Sequence, residues 1–184
     1  MNNRCRRVLR WVLALAAIGW ALALVGAPYG ATHATHREPG FVASAAVYGF
    51  SSIICHQRRD RTFLAWGAQL PVCARCTGLY GGAAAGALLA ALLADHRRWG
   101  RLRTQSIESL RAWRIGLVLA AVPTVVTILL EQTWIAHVSN WARALTSAPL
   151  GAVVAWIVTS SLRGREAAAA GAPGVHCADG SDEG

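Results

Sequence analysis

Four stretches of mostly apolar residues, at 11–27, 77–94, 115–133 and 145–162, constrain this chain more than anything else in it. Each is seventeen to nineteen residues long, and an α-helix needs roughly 17–25 such residues to cross the hydrocarbon core of a bilayer. In that solvent only helices and closed barrels satisfy every backbone polar group. The fold class expected is therefore all-α, an integral membrane helical bundle with about four spanning helices. A fifth run, 41–54, is apolar but only fourteen residues long and rich in Ser, Gly and Ala. It reads as one short interfacial or re-entrant helix. The first span is expected to end before Pro28; the third contains Pro123 and, near its end, Glu131.

The composition agrees. Hydrophobic residues make up 54% of the 184 and charged residues 15%, against about 25% charged in a soluble domain. The formal net charge is +9, and all 18 basic residues are arginine. In a soluble protein such a balance points to nucleic acid; here the arginines fall in short clusters between apolar runs, so no nucleic acid is expected and the partner is the lipid bilayer. With four spans and the N-terminus inside, twelve arginines lie inside and six outside, whereas a fifth span gives nine on each side. The four-span arrangement obeys the positive-inside rule. It places both termini in the cytoplasm of a bacterial inner-membrane protein. Trp11, Trp99, Trp113, Trp134 and Trp141 lie at or near span ends, where such rings prefer the headgroup level.

The chain divides into a signal-anchor span (1–27), an extracytoplasmic loop with the short helix (28–76), a three-span bundle (77–162) and a disordered cytoplasmic tail (163–184). The first segment also fits a secretory signal peptide, although its apolar run exceeds the usual core of roughly 7–15 residues. Gly78, Gly82 and Gly86, continued by Ala90 and Ala94, repeat every four residues along one helix face. Small residues at that spacing admit a second helix closely, either within the bundle or from a membrane partner or a second copy of the chain.

Chemistry concentrates in one polar insert. It holds Cys55-His56-Gln57-Arg58-Arg59-Asp60-Arg61 and then Cys73-Ala74-Arg75-Cys76-Thr77-Gly78. Three thiolates and an imidazole (Cys55, His56, Cys73, Cys76) suit tetrahedral zinc, and soft ligands also suit copper(I). Nearby Arg58, Arg59, Arg61 and Arg75 would hold the thiols ionised. Adjacent Cys55 and His56 reach one metal awkwardly, and His33 or His36 is an alternative ligand. A second reading is thiol–disulfide exchange at the Cys73/Cys76 pair with Cys55 as resolving thiol. A third is a structural disulfide from Cys55 to Cys73 or Cys76 that pins the loop of an assembly subunit. Supporting polar residues are Arg61, Arg75, Glu131, Asn140 and Arg143, with a Glu131 ion pair to Arg75 or Arg143 ranked ahead of catalysis.

Tyr48-Gly49-Phe50-Ser51, Cys55-His56-Gln57, Arg61-Thr62-Phe63 and the run Leu70-Pro71-Val72-Cys73-Ala74-Arg75-Cys76-Thr77-Gly78-Leu79-Tyr80-Gly81 resemble the signature of an uncharacterised family of small predicted membrane proteins of bacteria and archaea. The resemblance covers roughly residues 41–160. The chain departs from the family pattern in the third span, where Thr127, Ile128 and Glu131 replace an Asp-Gly and a Gln. The family brings no activity with it. No nucleophile elbow, zincin motif, P-loop or dinucleotide fingerprint is present, and no catalytic residue or enzyme class is assigned. The reading is a membrane protein with an extracytoplasmic Cys/His site, binding zinc or copper.

Overall fold

The computed structural model describes residues 3–35, 38–95, 106–134 and 137–170. Among them are five α-helices: α1 (Asn3–His33), α2 (Pro39–Ile54), α3 (Ala74–Asp95), α4 (Ser106–Gln132) and α5 (Asn140–Ala170). Four contain stretches long and apolar enough to cross a membrane, Arg7–His33, Ala74–Leu93, Arg111–Gln132 and Asn140–Ser161. The chain is an all-α membrane bundle. The sixteen residues of α2 extend about 24 Å at 1.5 Å per residue, short of a hydrocarbon core of about 30 Å, and α2 packs back along α1.

Two boundaries differ from expectation. Helix α1 does not stop before Pro28; it continues to His33 with Pro28 inside. Proline removes one backbone donor, but ending the helix there would leave several more groups unpaired. The Pro28 ring is instead fully buried, and the Thr32 hydroxyl donates to the Pro28 carbonyl at 2.9 Å. Helix α5 likewise runs to Ala170, into the segment expected to be a disordered tail. His36, His96, Trp99, His176 and Cys177 lie outside the described residues.

The seam between α3 and α5 is the tightest in the bundle. A methyl group at Gly78, Gly82 or Gly86 would overlap the carbonyl oxygens of Ala144, Ala148 and Ala152 respectively, and one at Gly151 would overlap that of Leu79. The face offered by the four-residue repeat is thus filled by α5 of the same chain. It is not open to a partner helix or a second copy, which corrects that expectation.

Small residues continue this pattern inside. Ala14, Ala87 and Ala91 form one buried cluster, and Ser147, Thr159 and Thr127 are buried elsewhere along the helices. Large apolar residues face outward, among them Leu15, Leu22, Leu119, Leu129 and Val118. An exterior of that kind is stable only in lipid, where close packing of small residues rather than apolar burial joins the helices.

Between α2 and α3 the chain folds into a cap. A single 3₁₀ turn, Arg59–Arg61, leads to strands β1 (Leu64–Ala65) and β2 (Ala68–Gln69), paired antiparallel with Leu64 opposite Gln69. Trp66 (φ 49°) and Gly67 (φ 79°) make the two-residue turn, whose double positive φ matches the twist of the strands. Leu70, Pro71 and Val72 are buried beneath it and lead directly into α3. Tyr48 of α2 donates its hydroxyl to the Gln69 carbonyl, tying hairpin to helix.

Candidate thiol and arginine site

The first turn of α3 carries two sites on opposite faces. Thr77 N–H donates to the Cys73 carbonyl at 2.9 Å, which makes Cys73 the residue that caps the helix. At 100° per residue, Cys76 lies 60° from Cys73 around the axis while Arg75 lies 200° away. The thiols therefore face α1 and α2, and the guanidinium faces α4 and α5.

On the thiol face, Cys55, Cys73 and Cys76 are free cysteines whose Sγ atoms all lie within 4.8 Å of one another. Cys55, Leu24 and Val72 form a buried cluster, with Trp20, Val47, Cys73, Cys76 and Tyr80 packed against it. The Cys73 N–H donates to Cys55 Sγ at 3.2 Å. The Cys73 thiol is drawn down to about 5, foremost by a hydrogen bond from the Cys76 side chain; the backbone N–H of Cys76, the Cys55 thiol and the backbone N–H of Arg75 add to this, while burial opposes it. A hydrogen-bonded thiolate at a helix N-terminus is a nucleophile and a metal ligand.

The sulfur geometry fits a soft metal. A tetrahedral zinc with Zn–S bonds of about 2.3 Å separates its sulfurs by about 3.8 Å, inside the observed limit. His56 does not join them. It is exposed and falls outside the group of ligand atoms. Cys55 has extended backbone (φ −141°, ψ 134°), and successive side chains of an extended segment point to opposite sides. His33 does not join them either; its Nδ1 is 3.2 Å from the Tyr29 carbonyl and its ring stacks on Tyr29. The arginines were expected to ionise the thiols, but the groups that lower the Cys73 pKa are hydrogen-bond donors.

On the other face the arginines converge on Glu131, whose side chain is 9% exposed. Arg143 Nε donates to Glu131 Oε1 at 2.6 Å, and Arg75 Nη2 lies 2.9 Å from Oε2 as an ion pair without hydrogen-bond alignment. Arg61 Nη1 lies 3.9 Å from the same oxygen. Arg143 Nη1 also donates to Asn140 Oδ1 at 2.6 Å, while Asn140 Nδ2 donates to the Thr62 carbonyl at 3.1 Å. One carboxylate thus fastens α3, α4, α5 and the cap. All five supporting residues named from the sequence, Arg61, Arg75, Glu131, Asn140 and Arg143, meet here. Both expected partners of Glu131 are present together.

Beside Glu131 opens a cavity of about 290 Å³, lined by Arg58, Asp60, Arg61, Arg75 and Arg143 and walled on one side by Ile128, Trp134 and Val138. Sequence reasoning missed Asp60, which sits within 3.4 Å of Arg58 Nε and 3.6 Å of Arg61 Nε. Its position between three arginines was the available signal.

Comparison with known proteins places these residues in a wider set. A family model described as a predicted membrane protein family, DUF2085, matches residues 55–157, more than half of the chain, including all three clustered cysteines and the residues around Glu131. An uncharacterized protein of Methanocaldococcus jannaschii is 41% identical over 46 residues, which is 25% of this chain and 30% of that protein. The chain thus matches less than a third of that relative's length. No solved structure matches.

Proposed function

Since the chain belongs to the DUF2085 family of predicted membrane proteins, we propose that it is a membrane protein that binds a thiophilic metal, zinc or copper(I), through Cys55, Cys73 and Cys76. One observation carries the reading: three sulfurs from two separate segments, the end of α2 and the first turn of α3, lie within 4.8 Å of one another. Three thiolates suit trigonal copper(I) or zinc with its fourth position open. Lining by Leu24, Val72 and Trp20 would keep water from competing for the metal. The arginine distribution, twelve against six, supports both termini in the cytoplasm and the site on the opposite side.

The low pKa of Cys73 favours a second reading. In it the Cys73 thiolate attacks a partner protein's disulfide, forming a mixed disulfide and releasing one partner thiol. Cys76, losing its proton, then attacks Cys73 Sγ. The products are a Cys73–Cys76 disulfide and a fully reduced partner.

Elemental analysis of the full chain, purified without metal-affinity steps, separates the two. Stoichiometric zinc or copper that is lost in Cys73→Ser and Cys55→Ser but kept in His56→Ala supports the metal site. Metal-free protein with a reducible Cys73–Cys76 disulfide sinks it in favour of exchange.

A further inference from the structure

We infer that the arginine-lined cavity beside Glu131 is a binding site for a phosphate group, carried by a lipid headgroup or by a soluble phosphate compound. The inference stands apart from the thiol face and does not depend on what the cysteines bind.

Charge is the first argument. Arg58, Arg61, Arg75 and Arg143 line the cavity against two carboxylates, Asp60 and Glu131, leaving an excess of two positive charges. The part of that excess around Glu131 is largely withdrawn from water, Arg75 and Arg143 being 20% and 12% exposed, where uncompensated charge is costly; a phosphate dianion, or a monoanion with one arginine left to solvent, offsets it. Glu131 does not repel such a ligand on balance. Arg143 holds its Oε1 and Arg75 its Oε2, which leaves one net positive charge around Glu131, and Arg58 and Arg61 flank Asp60, which leaves the other.

Unused donors are the second argument. Arg61 Nε and Arg75 Nε are buried without a hydrogen-bond acceptor among the described residues, and Arg75 Nη2 meets Glu131 Oε2 at 2.9 Å as an ion pair without hydrogen-bond alignment. Buried donors of that strength are ordinarily satisfied. Guanidinium groups arriving from the cap, α3 and α5 suit a tetrahedral oxyanion better than a planar carboxylate, because each fork can take a different pair of oxygens.

Size and place are the third. At about 290 Å³ the cavity lies at the bottom of the range of roughly 300–1,000 Å³ typical of small-molecule sites, which fits a phosphate with a short substituent. It opens at the end of α4 and the starts of α5 and α3, where a spanning helix meets the headgroup layer. Arg58 and Asp60, with side chains 63% and 60% exposed, form its mouth, and Trp134, 89% exposed, adds an apolar side.

The test uses the full chain in detergent, probed with inorganic phosphate by titration calorimetry. In parallel, native mass spectrometry follows protein taken from phosphatidylcholine liposomes with or without phosphatidylglycerol. Saturable uptake of inorganic phosphate identifies a soluble ligand; selective retention of phosphatidylglycerol identifies a lipid. In either arm Arg61→Gln and Arg58→Gln each weaken binding about tenfold or more, the loss expected for one charged hydrogen bond. Arg58 is exposed, so its variant remains informative if Arg61→Gln fails to fold. Arg59→Gln, which lies outside the cavity, leaves binding unchanged. Absence of binding in both arms, or a loss no larger in Arg58→Gln and Arg61→Gln than in Arg59→Gln, overturns the assignment.

Discussion

Cys73 shows how much one capping position can decide. Its thiol accepts hydrogen bonds from Cys76 and from backbone N–H groups, and these hold its pKa near 5, against roughly 8.5 for a free cysteine. The sign follows directly: a depressed acid is ionised above its folded value and loses its charge as pH falls through it. In metal-free protein, alkylation of Cys73 by iodoacetamide, followed by peptide mass mapping, should therefore reach half its plateau rate near pH 5. The stability it contributes is complete above the unfolded value and is lost as the pH drops toward 5. A midpoint above pH 8 would remove the hydrogen-bonded thiolate from the account. The i, i+3 spacing of Cys73 and Cys76 made that pair legible in the sequence, as charge made Glu131 and its arginines legible. His56 was misread because adjacency in sequence is not adjacency of side chains: extended backbone at Cys55 turns His56 away.

Among the elements, α3 and α5 carry the bundle. Gly82→Leu sets a side chain against the Ala148 backbone, while Gly81, one position earlier, meets nothing within 4 Å. Overpacking costs about 1–3 kcal/mol even where side chains can yield, and here the obstacle is backbone. Gly82→Leu should lower the thermal unfolding midpoint in detergent by several degrees or prevent accumulation, and Gly81→Leu should do neither. Equal effects of the two would mean that the seam is not formed as described. The apolar runs located every spanning helix, yet not its ends, because a membrane helix gains by continuing through a proline such as Pro28. The hairpin left no trace in the pattern. Strands of two residues carry no periodicity, and Trp66 is among the residues least suited to positive φ.

At the scale of the whole molecule, the arginine asymmetry makes a claim about sidedness. With the other native cysteines changed to Ser, Trp66→Cys at the hairpin tip should react with an impermeant thiol reagent in intact cells. Cys177 as the sole cysteine should react only after the membrane is opened. The reverse pattern would invert the protein and place both faces of the α3 turn in the cytoplasm.

The inside-out distribution of side-chain size bears on what this chain can tolerate. In a water-soluble protein the bulky aliphatic residues are the intolerant ones and small surface residues drift freely. Here the roles are exchanged. Leu15, Leu22, Leu119 and Leu129 face outward and need only remain greasy, so one aliphatic serves as well as another. Gly78, Gly82, Gly86 and Gly151 have no room for a single added carbon. Randomised at every position, the spanning helices would record their architecture as a narrow stripe of forbidden change at these glycines, with the outward-facing leucines free to vary.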